Sequence, residues 1–553
     1  MKRIAYRFLV AISAARVGTA RAGTARVGTG ALARPSRAKA GSCLRSRQCW
    51  IRQNLLRTAP MTLTSMIASM IASMIALTIA ATNATAETRP HYGGTLRVMM
   101  QSAPNTLDLP ANATPADYWD TARTLSLIGD TLVKLDAQGR PQPALAVAWQ
   151  SDPSARHWQF TLRRGVKFHD GSSASPAAIA QILGALHPGW NVRASADSVS
   201  IDSETAMPSL LAELALPRNL VLKRSANANE NSNRFPIGTG PFLVAGWQPG
   251  KLLKLAANEE SWAGRPFVDA IEIELGRSLR DQAIALELYK TDLIETAPQA
   301  ANESQRHGTP TSSSLPVELL ALVFSANSKA QDARLREAMA FAIERKPIQS
   351  VLLKGAGEPA AGILPNWMTG YSAVFSAQAN PQRARTLLAG SRQPALNLSY
   401  DPRDPQAQLI AERIALNARE VGITVQVSLS GTEDIRLVRA VLPSPDPATA
   451  LVEAARQLGL PQPGFPATRG HSLDDLYQAE RSLLDGYAVI PLFHLPVASA
   501  GSARVRGWEP DRLGEWSGAG LSPADLWLVD SRPYDSRPND SRRNDAQPEA
   551  GAR

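Results

Sequence analysis

The chain has 553 residues, of which 44% are hydrophobic, 6% aromatic and 20% charged. That length exceeds one ordinary domain and points to two to four, and the composition excludes a chain disordered throughout. The net charge of +10 is confined to the start: residues 1–60 hold 13 Lys and Arg and no acid, 61–86 hold no charge, and the rest carries 46 bases against 49 acids. The body therefore has no global field for phosphate backbones, and no nucleic-acid partner is expected. Both cysteines, Cys43 and Cys49, lie in the leader, which leaves the body without a disulfide, a thiolate nucleophile or a zinc thiolate site.

The leader opens with a quasi-repeat, RVGTARAGTARVGTG over 16–30, that has no core pattern. It reads either as a long basic n-region or as translated sequence ahead of a start at Met61. The apolar run Ser65–Ala81 has the length of a signal-peptide h-region and is short for a membrane span. Ala84-Thr85-Ala86 follows as a small-x-small cleavage site, so export to the periplasm and a mature chain from about Glu87 are expected; a retained membrane anchor is the alternative.

Along the body, Gly94–Met100, Leu132–Leu135 and Trp158–Arg163 alternate as strands. Ser175-Pro176 opens a helix through Ile179, Ile182 and Leu183, and SANANENSN (225–233) is a polar loop. Leu243–Trp247, Lys251–Leu255 and Ile271–Leu275 are further strands, and Glu318–Phe324 is apolar enough to be buried on both faces. Asp332 begins a helix, Pro381–Leu388 is a short one, and Ala407–Val421 is a third that Gly422 ends. Ala395–Tyr400, Ile423–Leu429 and Ala488–Phe493 are strands, with a helix at Leu476–Leu484. Strand-rich stretches thus flank a β-α-β-α-β stretch over 318–429, which argues for two lobes, one strand-rich and one α/β. Crossings between lobes are expected near Ser312–Pro316 and near Gly486–Pro491. The tail DSRPYDSRPNDSRRNDAQPEAGAR from Asp530 cannot offset its ordering entropy and reads as disordered.

Enzyme signatures fail one by one. Gly470-His471-Ser472-Leu473-Asp474 has Asp where a nucleophile elbow needs Gly, and reads as a loop before a helix. Gly246–Leu252 is one residue short of a P-loop and lacks the hydroxyl, so a turn between strands is expected. Gly238-Thr239-Gly240 is followed by Pro241, which removes an N–H that a phosphate cradle would use. The seven His are scattered, with no i, i+4 pair, and neither a metal nor a cofactor is expected. Tyr118, Trp119, Trp247, Trp367 and Phe493 remain as aromatic candidates for a ligand cleft, with core packing as the alternative.

The order of motifs resembles the bacterial extracellular solute-binding proteins of family 5, the peptide and nickel receptors of ABC importers. Gly93-Gly94-Thr95-Leu96-Arg97-Val98 resembles their first strand. DTLVKLDAQGRPQPALAVAWQ (130–150), WQFTLRRGVKFHDGSSASPAAIAQIL (158–183), GTGPFLVAGWQPGKLLKLAANEESW (238–262) and LREAMAFAIERKPIQSVLLKGAGEPAAGILP (335–365) carry the likeness, with Arg383–Leu388, GITVQV (422–427) and AERSLLDGYAVIPLF (479–493) completing it. The resemblance implies an α/β, bilobal periplasmic-binding-protein-like fold (type II, cluster C) with an extra subdomain inserted in the first lobe. On this chain it implies a leader at 1–86, lobe I from 87–130, 226–315 and 488–529, the insert at 131–225, lobe II at 316–487 and a tail at 530–553.

The implied function is a receptor without catalysis, a monomer that captures a peptide or other small-molecule ligand by lobe closure and docks on the permease subunits of an ABC transporter. Two departures bear on the ligand. Only 46 residues separate Leu429 from Leu476, where the family carries a longer stretch with an aromatic-Asp-Pro segment; Ser444-Pro445-Asp446-Pro447 is its counterpart without the aromatic. No residue matches the peptide-binding members' anchors for ligand termini, so a binding protein that has lost transport is an alternative. A ligand-sensing regulator would need a winged helix ahead of residue 90, and an enzyme would need a constellation that is not legible. Asn105, Thr106 and Asp108 follow the first strand and are expected in the cleft, with a structural turn as the alternative; Trp119 and Trp367 are expected to stack on ligand, Tyr118 and Phe493 are aromatic candidates for the cleft, and His494 is expected to face it from the returning strand.

Overall fold

The computed structural model describes residues 90–109, 115–224, 235–301, 309–371, 374–390, 393–404, 406–429, 433–466, 471–508 and 525–529. The leader with its apolar run and cleavage motif, both cysteines, the 225–233 loop and the tail from 530 lie outside the described residues. No described helix is long and apolar enough to cross a membrane.

Strand β1 (Thr95–Met99) leads through an irregular segment to helix α1 (Pro115–Leu125). Strands β2 (Ala146–Ser151) and β3 (His157–Leu162), helix α2 (Pro176–Leu186), and strands β4 (Asn191–Ala194) and β5 (Ser198–Asp202) then build a separate antiparallel sheet in the order β2-β3-β5-β4. The alternation read in the sequence is physical: Trp158, Phe160 and Leu162 are buried, and the residues between them are exposed. Phe160, Val199 and Ile201 meet Ile179 and Leu183 of α2 in one core. That helix starts where Ser175 predicts, with the Ser175 hydroxyl accepting the Ala178 N–H at 3.3 Å and Pro176 in the first turn.

Strands β6 (Phe242–Gln248) and β7 (Leu252–Ala257) form a hairpin whose turn, 249–251, falls inside the Gly246–Leu252 stretch where one was expected. With β8 (Ala270–Glu274) and β9 (Leu293–Thr296) they extend the main sheet in the order β6-β7-β8-β1-β9, β1 lying parallel to both β8 and β9. Leu96, Val98, Phe242, Leu253, Ile271 and Ile273 form its core. Gly238 and Gly240 are required by close approach: a Cβ at Gly238 would stand 2.0 Å from the Ile128 carbonyl oxygen.

The second half begins on β10 (Thr311–Phe324), followed by α3 (Ala333–Ala342), α4 (Pro381–Leu388), β11 (Leu396–Ser399), α5 (Ala407–Glu420), β12 (Val425–Val427), β13 (Ile435–Val441), α6 (Pro447–Leu458), α7 (Leu473–Leu484) and β14 (Val489–Gly501). The sheet continues β9-β14-β10-β13-β11-β12. The apolar run in β10 serves two cores, as a doubly covered strand must: Leu320 and Leu322 pack with Leu335, Met339 and Ile410 on one face, and Leu319, Ala321 and Val323 pack with Leu451 and Leu483 on the other.

Strands β10 and β14 are the long antiparallel pair that joins the halves. At one end Thr311 pairs with Ala500, beside β9; at the other Val323 pairs with Val489, beside β13. The ladder slips on either side of Pro316, which stands opposite Pro496. Two facing prolines contribute no N–H to the ladder, so the ribbon is weakest at this point. The stretch 486–491 is a short turn and the first residues of β14, and the ladder slips again at its end, between the pairs Leu320–Phe493 and Ala321–Pro491.

Candidate ligand cleft

Two cavities open between the halves. The wider, about 1150 Å³, is walled by the region of α2, β4 and β5, by α1 and by α6. Its surface is aromatic: His187 and Trp190 stack with ring centroids 3.6 Å apart, Phe465 and His471 meet at 4.4 Å, and the Arg456 guanidinium sits 5.1 Å from the Tyr118 ring centre. His187 is fixed by a 2.5 Å contact from Nε2 to the Asn219 side-chain oxygen. A charge relay crosses the cavity. Arg218 donates to Glu213 on its own side and to Glu453 of α6 on the other, and Arg456 donates to Glu453 at 3.0 Å. Glu453 is almost wholly buried and is neutralised by two guanidiniums. Burial pushes the Tyr118 hydroxyl above its usual pKa.

The narrower cavity, about 580 Å³, lies on the side of the β10–β14 pair, here called the hinge side, and is walled by α1, the end of β9, residues 399–404, the start of α5, β13 and the Pro496–Ala498 stretch of β14. Arg123 Nη2 donates to Asp120 at 2.5 Å and to Glu295 at 2.6 Å. Arg439 donates to Glu318 at 2.7 Å and to Asp404 at 2.6 Å. Arg403 donates to Asp117 across the cleft at 2.7 Å and to Asp401 at 2.8 Å. Burial and the neighbouring Glu295 carboxylate push Asp120 up to about 7 against the pull of Arg123. Trp119, Ala122 and Val441, with Leu109 and Tyr118 packed against them, form a small apolar cluster where α1 meets β13.

The expected site residues divide. Tyr118 lines the wide cavity and Trp119 the narrow one. Asn105 and Thr106 are exposed and Asp108 is half-buried, in a turn tied to the β6–β7 turn by the Gly250 N–H to the Pro104 carbonyl at 2.9 Å; none of the three lines either cavity. Trp367 donates its indole N–H to the Pro316 carbonyl at 2.9 Å, beside the slip in the β10–β14 ladder, and lies on neither cavity wall. Phe493 is wholly buried in the second half's core. His494 is buried beside it with Nε2 donating to the Ile363 carbonyl at 3.0 Å, and burial holds its pKa down to about 4. Asp446 caps α6 by accepting the Thr449 N–H at 2.9 Å, so this counterpart of the family's Asp-Pro segment is spent on a helix start.

Reading the sequence missed Trp190, Arg218 and Glu453 on one side and Asp120, Arg123 and Glu295 on the other. The i, i+3 pairs Asp120/Arg123 in α1 and Glu453/Arg456 in α6 were the local signals; their partners Glu295 and Arg218 lie 172 and 235 residues away. Among the described residues no cluster of three or more His, Cys, Asp or Glu is placed to hold a metal ion.

Comparison with known proteins matches the central region, residues 140–436, to the pattern of bacterial extracellular solute-binding proteins, family 5 Middle. The nickel-binding periplasmic protein of Escherichia coli K12 is 27% identical over 350 residues, 56% of this chain and 66% of that one. A probable di/tripeptide-binding protein 5 of Pseudomonas aeruginosa is 23% identical over 390 residues, 61% of this chain and 73% of that one. The chain thus spans just under two thirds of the length of the first of these relatives. Among solved structures, a dipeptide-binding protein of Pseudoalteromonas in complex with Met-Leu shares the fold at a TM-score of 0.66 and 18% identity, over 79% of this chain and all of that one. The Staphylococcus aureus nickel protein NikA, in complex with Ni(L-His)2, does so at 0.63 and 16%, over 79% of this chain and 99% of that one. With the family pattern covering more than half of its residues, and with this mixed, bilobal fold, the chain belongs to the bacterial extracellular solute-binding proteins of family 5.

Proposed function

We propose that this protein is an extracytoplasmic receptor of an ABC importer, which captures a small solute in the wide cavity by lobe closure and presents it to a membrane permease. The observation that carries the reading is the Glu213–Arg218–Glu453–Arg456 relay, which ties the two walls of an aromatic cavity of about 1150 Å³ together. A cavity of that size takes a dipeptide-sized or somewhat larger ligand. Aromatic faces supply area, and groups that meet only when the halves are shut supply the differential contact that closure requires.

The output on this reading is a change of shape, with no bond made or broken. The leader is read as an export signal, which puts the receptor in the periplasm. The lobe boundaries follow the same reading, with 87–130, 226–315 and 488–529 as lobe I, 131–225 as its insert and 316–487 as lobe II. The names of relatives, one for nickel and one for di/tripeptides, support small-solute capture without choosing between those cargoes. Native mass spectrometry of protein purified from the periplasmic fraction tests the proposal. A stoichiometric small molecule that is lost in Trp190→Ala is expected; a ligand held equally well by that variant overturns the assignment to this cavity.

A further inference from the structure

The first half carries, at its end away from the cavities, an exposed aromatic pole that the receptor reading does not use. Among the described residues only two Tyr, Trp or Phe side chains are more than half exposed, Tyr92 at 61% and Tyr289 at 63%. Both stand at one edge of the main sheet. Strands β8, β1 and β9 lie side by side and parallel, so their starts share that edge; Tyr92 precedes β1 and Tyr289 precedes β9. Tyr92 meets Phe267, ahead of β8, with ring centroids 5.1 Å apart. Leu288, 57% exposed, and Ile284, 44%, belong to the same end of the helix Leu279–Glu287 that leads into β9. A single exposed leucine is ordinary, but four large side chains gathered at one sheet edge, both exposed aromatics among them, are not.

The backbone at Tyr289 is a second, independent feature. The helix ends in a left-handed turn, with Tyr289 at φ +54°, its N–H donating to the Leu286 carbonyl at 3.0 Å and the Lys290 N–H donating to the Ala285 carbonyl at 2.9 Å. Glycine favours that position, and the chain turns on Gly422 after α5 and on Gly459 after α6, both at positive φ. A tyrosine there strains the backbone and leaves its own ring in solvent, so packing within the fold does not account for it.

We propose that this pole is a membrane-binding face, with the Tyr92 and Tyr289 rings at the headgroup level of a bilayer and Leu288 and Ile284 entering the acyl boundary. Tyrosine, with an apolar ring and a polar tip, suits that depth. The chain also enters the fold here: Tyr92 stands eleven residues after Ala81, the end of the apolar run, so at most about 40 Å of extended chain separates it from a bilayer that holds that run. The opposite ends of the same three strands lead to the cleft, where Gln101, Leu279 and Thr296 line the hinge-side cavity, so a bilayer at the pole leaves solute access open. A permease that reads closure must touch both halves, whereas this pole belongs to the first half alone and is blind to closure. The proposal goes beyond the receptor reading, because it assigns a surface outside the cleft and an occupant that is neither solute nor permease.

The test places an environment-sensitive nitrobenzoxadiazole dye on Glu287→Cys at the pole or on Gln408→Cys in the second half, each in the full chain with Cys43 and Cys49 replaced by Ser, and adds vesicles of phosphatidylethanolamine with phosphatidylglycerol. The dye at 287 is expected to brighten and shift to the blue while the dye at 408 does not, a contrast that binding through the leader alone does not produce. Tyr92→Ser with Tyr289→Gly should weaken the vesicle binding read at 287 by about tenfold or more. Tyr289→Gly alone should melt no lower than the parent, since glycine relieves the left-handed turn, and should still bind vesicles more weakly, which separates the loss from misfolding. A silent dye at 287 in millimolar lipid, equal signals at 287 and 408, or unchanged binding in the double variant each overturns the proposal. So does a signal at 287 that rises with protein concentration in the absence of vesicles, which assigns the pole to a second copy, or one that needs membranes containing the permease, which assigns it to a protein partner. The receptor reading fails by a different result, a purified protein that carries no solute, whatever the dye at 287 reports.

Discussion

Arg403, in the turn before α5, donates a 2.7 Å hydrogen bond to the carboxylate of Asp117 in the first turn of α1, and so ties the two halves together across the mouth of the hinge-side cavity. The Arg218–Glu453 pair does the same across the wide cavity. The two latches differ in burial. Arg403 and Asp117 are 42% and 31% exposed, which limits their pair to about 0–1 kcal/mol, whereas Glu453 is 2% exposed and loses one of its two guanidinium partners when Arg218 is removed, at a cost of about 1–3 kcal/mol. Arg218→Gln should therefore open the molecule more than Arg403→Gln. Small-angle scattering reads this as a larger radius of gyration for the first; identical profiles for parent, single and double variants would count against both latches.

The wide cavity depends on a stacked pair. His187 holds the Trp190 ring face to face at 3.6 Å and is itself anchored on Asn219. Trp190→Ala should lower solute affinity by at least about tenfold through lost aromatic area. Asn219→Ala should lower it less, by freeing His187. Trp367→Ala should act differently, because its indole holds the Pro316 carbonyl at the hinge: closing rates change while contacts to bound solute do not. Stopped-flow fluorescence against equilibrium titration separates the two effects.

His494 gives the protein an acid-sensitive strand. Its folded pKa of about 4 lies below the unfolded value of 6.5, so the unfolded chain takes up the proton first. The associated stability is fully present above pH 6.5 and is lost as pH falls towards 4, in total about 3 kcal/mol. Asp120, raised to about 7, has the opposite sign and favours the folded state less as pH rises from about 4 to 7. The readout is therefore the difference between parent and His494→Gln, which keeps an N–H for the Ile363 carbonyl. Denaturant midpoints of the two should diverge across pH 4–6.5; parallel curves would remove His494 from the account.

Two glycines should respond with opposite signs. At Gly238 a methyl group would enter the Ile128 carbonyl at 2.0 Å, backbone against backbone, and Gly238→Ala should cost more than about 3 kcal/mol. At Gly184, inside α2, a methyl group would meet only Val192 at 4.0 Å, and Gly184→Ala should add about 0.5–1 kcal/mol by raising helix propensity. Thermal melting of both variants checks the pair.

Much of the fold was legible because its signals are local. Ser175, Asp332 and Asn380 cap helices with their own side chains, Gly422 turns the chain at φ +94° after α5, and Ser472 and Asp475 form a reciprocal capping box. The run 318–324 reads as doubly buried because six consecutive apolar residues, 319–324, have no other home. Helix α1 was not legible: PADYWDTARTL alternates acids, hydroxyls and aromatics without a strong stripe, since one of its faces packs on β13 and another lines cavities. Helix α6 was hidden by reading its Asp446-Pro447 start as a shortened ligand segment. The site residues were harder still. Trp119 announces itself as a rare aromatic, but Arg123 meets Glu295 and Arg218 meets Glu453 only through register and closure, at separations of 172 and 235 residues.

The central claim is that two halves swing shut on a captured solute about the Pro316–Pro496 slip in β10 and β14. Single-molecule energy transfer between dyes on Ser154→Cys and Gln408→Cys, one on each side, with Cys43 and Cys49 replaced by Ser, measures that motion most directly. Protein stripped of solute by unfolding and refolding should show a broad, low-transfer population that narrows and shifts to high transfer when the co-purified solute is returned. One unchanging distribution, with and without that solute, would contradict the account.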